Sequence, residues 1–72
     1  MGTVIAVGPA VQVAGWALAG ADVRPADTDA QAQQVWDGLP NDVSLLVVTE
    51  SVSRAVRDRP RPPGALTVVL PG

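Results

Sequence analysis

The chain has 72 residues, 47% of them hydrophobic, with seven carboxylates against five arginines and a formal net charge of −2. That length supports one small domain with a thin core and a stability of only a few kcal/mol, at roughly 0.05–0.15 kcal/mol per residue. It contains no Cys, no His and no Lys, which excludes disulfides, thiolate nucleophiles, imidazole bases and the usual zinc ligands.

The first element is a strand, Thr3-Val4-Ile5-Ala6-Val7, that stops at Gly8-Pro9. Continuous apolar runs of this kind, without polar alternation, belong to strands buried on both faces, as in parallel sheets flanked by helices. Pro9 suits the first turn of a helix, where its missing N–H costs nothing. That helix is predicted over residues 9–19, with Gly20 as its C′ glycine. Gly8 reads as the tight strand-to-helix turn and Gly15 as a point of close helix packing. A short alternating strand at residues 21–24, closed by Pro25, is expected at a sheet edge. Thr28-Asp29-Ala30-Gln31 reads as a capping box, with Thr28 at the N-cap and Gln31 at N3. The helix it opens places Ala32, Val35, Trp36 and Leu39 on one apolar stripe, and Gly38 and Pro40 end it. Ser44-Leu45-Leu46-Val47-Val48 is a second doubly buried strand, stopping at Thr49-Glu50. Thr49 or Ser51 then caps a short helix with Val52, Ala55 and Val56 inward. Arg54, Arg57 and Arg59 fall toward its C-terminus, where the macrodipole favours cations. Pro60-Arg61-Pro62-Pro63-Gly64 is a stiff connection into the last doubly buried strand, Leu66-Thr67-Val68-Val69-Leu70, which ends at Pro71-Gly72.

This alternation implies an α/β fold: residues 1–72 as a single domain, built on a small four-stranded parallel sheet of order 2-1-3-4 with flavodoxin/Rossmann-like topology. The first helix then lies on one face and the other two on the opposite face. No C-terminal helix follows the last strand, so a single helix is expected to cover one side. From Pro9 to Ala21 the only strongly polar side chain is Gln12, and Val11, Val13, Trp16 and Leu18 present an uncharged surface. Exposed apolar patches of that kind mark interfaces. Partners of open parallel sheets are met at the carboxyl ends of the strands. The candidate partner interface is therefore Val11, Trp16, Leu18, Thr49, Glu50 and Leu70, with weak self-association of the isolated domain as a consequence. Trp36, inside its stripe, reads as core, whereas Trp16 is the better interface anchor.

Chemistry is sparse along the chain, and no catalytic, cofactor-binding or metal-binding residue is assigned. A phosphoacceptor receiver domain shares the topology, but it needs acidic residues after the first strand, an Asp ending the third and a Lys after a later one. Gly8-Pro9, Thr49-Glu50 and Pro71 occupy those places. Glu50 alone cannot assemble a Mg²⁺ pocket and is better explained as a helix-capping carboxylate. The seven-residue spacing of Gly8 and Gly15 matches neither the dinucleotide fingerprint nor a phosphate loop. An anion at the amide-rich start of the first helix is a lesser reading, because Pro9 removes one donor. Arg54, Arg57, Arg59 and Arg61 lack the aromatic residues and the basic total of a nucleic-acid surface. A solvated helix end explains them better, with docking to an acidic surface second. There is no apolar stretch long enough to span a membrane, and Met1-Gly2-Thr3 has no signal-peptide character. A cytoplasmic location, at most peripheral to a membrane, is expected.

Several local signatures occur in a telling order. They are Ile5-x-Val7-Gly8, Gly15-Trp16-Ala17-Leu18-Ala19-Gly20-Ala21-x-Val23, Asp42-Val43-x-Leu45-Leu46-x-Val48-Thr49-Glu50, and Val68-Val69-Leu70-Pro71-Gly72. Together they resemble the F subunit of the V-type (archaeal-type) rotary ATPases, with its G-F-x-L-A-G helix, I/V-T-E turn and final strand ending in I-P-G or I-P-S. The resemblance covers essentially the whole chain. Two departures stand out: a shorter third helix with a Pro/Arg connector, and no C-terminal helical tail, which in the family is linked to regulation. The resemblance implies a non-catalytic component of the central stalk with no cofactor. Such a component binds the coiled-coil axle, the D subunit of the family, and helps couple ATP hydrolysis or synthesis to ion transport. The alternative is a receiver-like or nucleotide-binding α/β regulatory module without catalytic residues.

Overall fold

The computed structural model of the chain describes residues 2–71; Met1, and the part of the closing turn that falls on Gly72, lie outside the described residues. Four strands, β1 (Thr3–Gly8), β2 (Asp22–Pro25), β3 (Val43–Thr49) and β4 (Leu66–Leu70), form one sheet in the order β2-β1-β3-β4. Every pairing is parallel, so the α/β class and the strand order expected from the sequence both hold. The helical elements are α1 (Ala10–Val13), a 3₁₀ segment (Ala14–Ala19), α2 (Asp29–Asp37) and α3 (Glu50–Ala55). No helix among the described residues is long and apolar enough to cross a membrane.

Because side chains alternate along a strand, the sheet separates two cores. On one side Ile5, Val7, Leu46 and Val48 meet Ala32 and Trp36 of α2 and Val52 of α3, with Val35, Leu39 and Ala55 packed around them. On the other side Ala6, Val13 and Val47 form a much smaller cluster, bordered by Trp16, Val23, Leu45 and Leu70. Trp36 is 7% exposed, as its place in the apolar stripe predicts. Its indole Nε1 donates to the Pro60 carbonyl at 3.0 Å, which ties the proline-rich connection to α2. Arg59 reinforces that tie through its Nε–H, 3.0 Å from Asp37 Oδ1.

Capping follows the sequence with one displacement. Thr28 Oγ1 accepts from the Gln31 backbone N–H at 3.1 Å. The Gln31 side chain, however, accepts from the N–H of Asp27 at 2.8 Å rather than from Thr28, so the reciprocal half of the box reaches one residue further back. At α3, Thr49 occupies the N-cap without a side-chain cap bond; its hydroxyl instead lies 3.1 Å from Ser51 Oγ.

Three expectations are corrected. The continuous helix over residues 9–19 is a single α-turn followed by a six-residue 3₁₀ segment, with Pro9 as N-cap. Helices in proteins persist mainly by packing an amphipathic face. Here Val13 alone is fully buried, Trp16 is half-buried, and the remainder of the segment is exposed. Val13, expected on the outer surface, points into the sheet with no exposure. Second, Gly15 makes no close packing: a Cβ there would meet nothing within 4 Å. Gly8 does need its missing side chain, since a Cβ would lie 2.9 Å from Thr49 Oγ1 and 3.0 Å from Val13 Cγ1. Gly20, at φ 87°, is the left-handed C-cap that its position predicts. Third, β4 is not buried on both faces. Leu66, Val68 and Val69 are 67%, 41% and 46% exposed, because β4 is the outer strand and the helical segments, packed mainly over the inner strands and β2, give its two faces little cover.

Candidate interaction surface

The register of β3 with β4 sets which side chains share a face. Leu45 pairs with Leu66, Val47 with Val68 and Thr49 with Leu70. Val47 belongs to the small cluster under α1, so Leu66, Val68 and Leu70 project on that same side of the sheet. Val4, paired with Leu45, extends the row across β1. The α1–3₁₀ segment packs mainly against β1 and β2 and reaches Val47 of β3 through Val13, leaving the β4 part of this face as an apolar strip with Leu66 and Val68 exposed. The strip itself, built of exposed Leu66 and Val68 with half-buried Leu45 and Leu70 beside them, carries neither carboxylate nor guanidinium.

Residues singled out in the sequence divide into three groups around this strip. Trp16 and Leu70 are brought together, both packed partly buried against the Ala6–Val13–Val47 cluster. Val11 and Leu18 stand free, 91% and 94% exposed, on the outer side of the helical segment. Thr49 and Glu50 do not form part of an apolar contact surface. The Thr49 side chain is 2% exposed and fills the space left by Gly8. Glu50 opens α3 and faces solvent, with Arg54 Nη1 4.0 Å from its carboxylate, a separation and exposure at which an ion pair contributes little.

Sequence reasoning missed Leu66 and Val68 as surface residues. The signal was present in the predicted order 2-1-3-4, which makes the last strand an outer strand, but its unbroken apolar run pointed to burial instead. The start of α1 is no anion site either: the N–H of Ala10 is already bonded to Asp27 Oδ1 at 3.2 Å. Among the described residues no group of three or more His, Cys, Asp or Glu side chains is placed to hold a metal ion. No family model matches the chain, and no curated protein matches it.

Proposed function

We propose that this chain is a non-catalytic central-stalk component of a V/A-type rotary ATPase, the counterpart of its F subunit. It seats against the coiled-coil axle, the D subunit, in the cytoplasm, peripheral to the membrane, and helps couple ATP turnover to ion movement. The ordered signatures from Ile5 to Gly72 support this reading. The observation that carries it is the apolar strip of Leu66, Val68 and Leu70 beside Trp16, with Val11 and Leu18 exposed on the helical segment next to it. A long helical hairpin laid along such a strip buries its own apolar stripe against it, the helix-in-groove mode of recognition. A rotor component needs a rigid surface of this sort rather than a reactive centre.

The test is co-expression with the coiled-coil hairpin component of a V/A-type ATPase encoded in the same genome, followed by pull-down and native mass measurement. A one-to-one complex is expected. Leu18→Glu combined with Val68→Lys should weaken it at least tenfold, because both positions are exposed and each change sets a charge in an apolar contact. Failure to form the complex, or a complex indifferent to those two changes, overturns the assignment. So does robust ATPase or phosphotransfer activity of the purified chain that Glu50→Gln abolishes.

A further inference from the structure

A cavity of about 120 Å³ opens on the opposite side of the sheet, between α3, the proline-rich connection and β4. It exists because α3 is six residues long and stops before it can cover the outer strand. Trp36 forms one wall, Val48, Val56 and Thr67 of β4 the floor, and Ser53, Arg57, Arg59 and Arg61 the rest of the lining.

Three of the chain's five arginines therefore face one small space, in a protein whose net charge is −2. Arg24, Arg54 and Arg59 each lie within 4.0 Å of a carboxylate: Asp22, Glu50, and Asp37 with Asp58, respectively. Arg57 and Arg61 take part in no ion pair among the described residues, and both line the cavity. Arg59 is held in place by Asp37, and the connection carrying Arg61 is stiffened by three prolines and pinned through Pro60 to the Trp36 indole. The guanidinium groups are thus spaced by a constrained backbone rather than by a mobile loop. Thr67 Oγ1 on the same floor is buried with no hydrogen-bond partner, an uncompensated polar group of the sort that calls for a physical reason.

We propose that this cavity binds a small phosphate-bearing anion, with Arg57 and Arg61 as its principal charge partners. Planar guanidinium forks suit tetrahedral oxyanions through paired N–H donors. Trp36 and the apolar floor limit water on one side, which strengthens those bonds relative to an open surface. At about 120 Å³ the space is of the size of a phosphoryl group with a short substituent, and a larger substituent would extend out of its mouth. The ligand is either free inorganic phosphate or the phosphoryl group of a small monoester. The proposal is independent of the stalk assignment and survives or fails separately from it.

Trp36 supplies the reporter. In a Trp16→Phe variant it is the only indole, so its fluorescence reads the cavity. Titration with inorganic phosphate, at ionic strength matched with chloride, should give a saturable change with a dissociation constant on the order of 1 mM. A parallel titration with O-phosphoserine separates the sources: tighter binding of the monoester means the mouth accepts a substituent, and tighter binding of phosphate means the free ion is the ligand. Arg57→Gln with Arg61→Gln should weaken the response at least tenfold, while Arg54→Gln, outside the cavity, leaves it unchanged. All three positions are exposed, so the fold persists, which melting curves check. Those curves give a second readout. Phosphate raises the melting temperature of any protein by exclusion from its surface, but occupancy adds a further rise in the parent that the double variant lacks. A response that chloride reproduces, or that the double variant retains, overturns the site.

Discussion

Gly8 and Gly15 look alike in the sequence and differ physically in the fold. At Gly8 the chain turns from β1 into α1 directly against Thr49 and Val13, and a methyl group has nowhere to go. Gly8→Ala should therefore cost about 1–3 kcal/mol, the range for overpacking a tight site. Gly15 faces open space without a positive φ, so its only contribution is the extra freedom of the unfolded chain. Gly15→Ala should stabilise by about 0.5–1 kcal/mol. Urea midpoints of the two variants against the parent check the pair; equal shifts of the same sign would show that the turn at Gly8 is misplaced. Trp36 is the largest side chain in the core and also holds the Pro60 carbonyl. Trp36→Ala removes both packing and that hydrogen bond. A loss of about 3–5 kcal/mol, comparable with the stability of a domain this size, is expected as unfolding or a steep fall in denaturation midpoint.

Elements are legible in the sequence in proportion to how much of their character is local. α2 combines a capping threonine, an apolar stripe and a terminal glycine in one short stretch, and it forms where those signals place it, from Asp29 to Asp37. The order of the sheet follows from the spacing of apolar runs and the handedness of crossovers, and it is readable before any contact is known. The first helix misleads because its composition, rich in Ala and apolar throughout, suits an α-helix while offering almost nothing to pack. Whether such a segment stays α-helical or tightens into 3₁₀ is decided by the sheet beneath it, which meets it through Val13 and half of Trp16. β4 misleads for a related reason. An apolar run marks a strand able to be buried, but burial also requires neighbours, and neighbours come from topology. The candidate surface is thus half visible in the sequence: Trp16, Leu18 and Leu70 directly, Leu66 and Val68 only once the outer position of β4 is combined with its register. The arginine-lined cavity is not legible at all, since it arises from the gap between a short helix and an outer strand.

Taken as a folded body, the domain is asymmetric. One side of the sheet carries α2, α3 and most of the core, while the other carries a short helical segment over β1, β2 and Val47 of β3 and an apolar strip exposed at Leu66 and Val68 of β4. The outer edge compounds this. From Leu66 to Leu70 the strand has no charge, no proline and no bulge, the devices by which proteins usually protect an edge. Its outward N–H and C=O groups can template a second strand, and a copy of β4 laid antiparallel sets Val68 opposite Val68 and Leu66 opposite Leu70 about a twofold axis. The isolated chain should therefore associate in a concentration-dependent way, visible by sedimentation as monomer at low micromolar and dimer or larger species well above it. Val68→Lys, at a position already 41% exposed, should restore a monomer with little change in stability, because the pairing sets each introduced ammonium directly opposite its own copy, and like charges so placed repel. Leu18→Glu, on the 3₁₀ segment packed against β2 rather than on β4, should leave association unchanged. If Leu18→Glu abolishes association and Val68→Lys does not, the helical segment rather than the edge is the sticky surface.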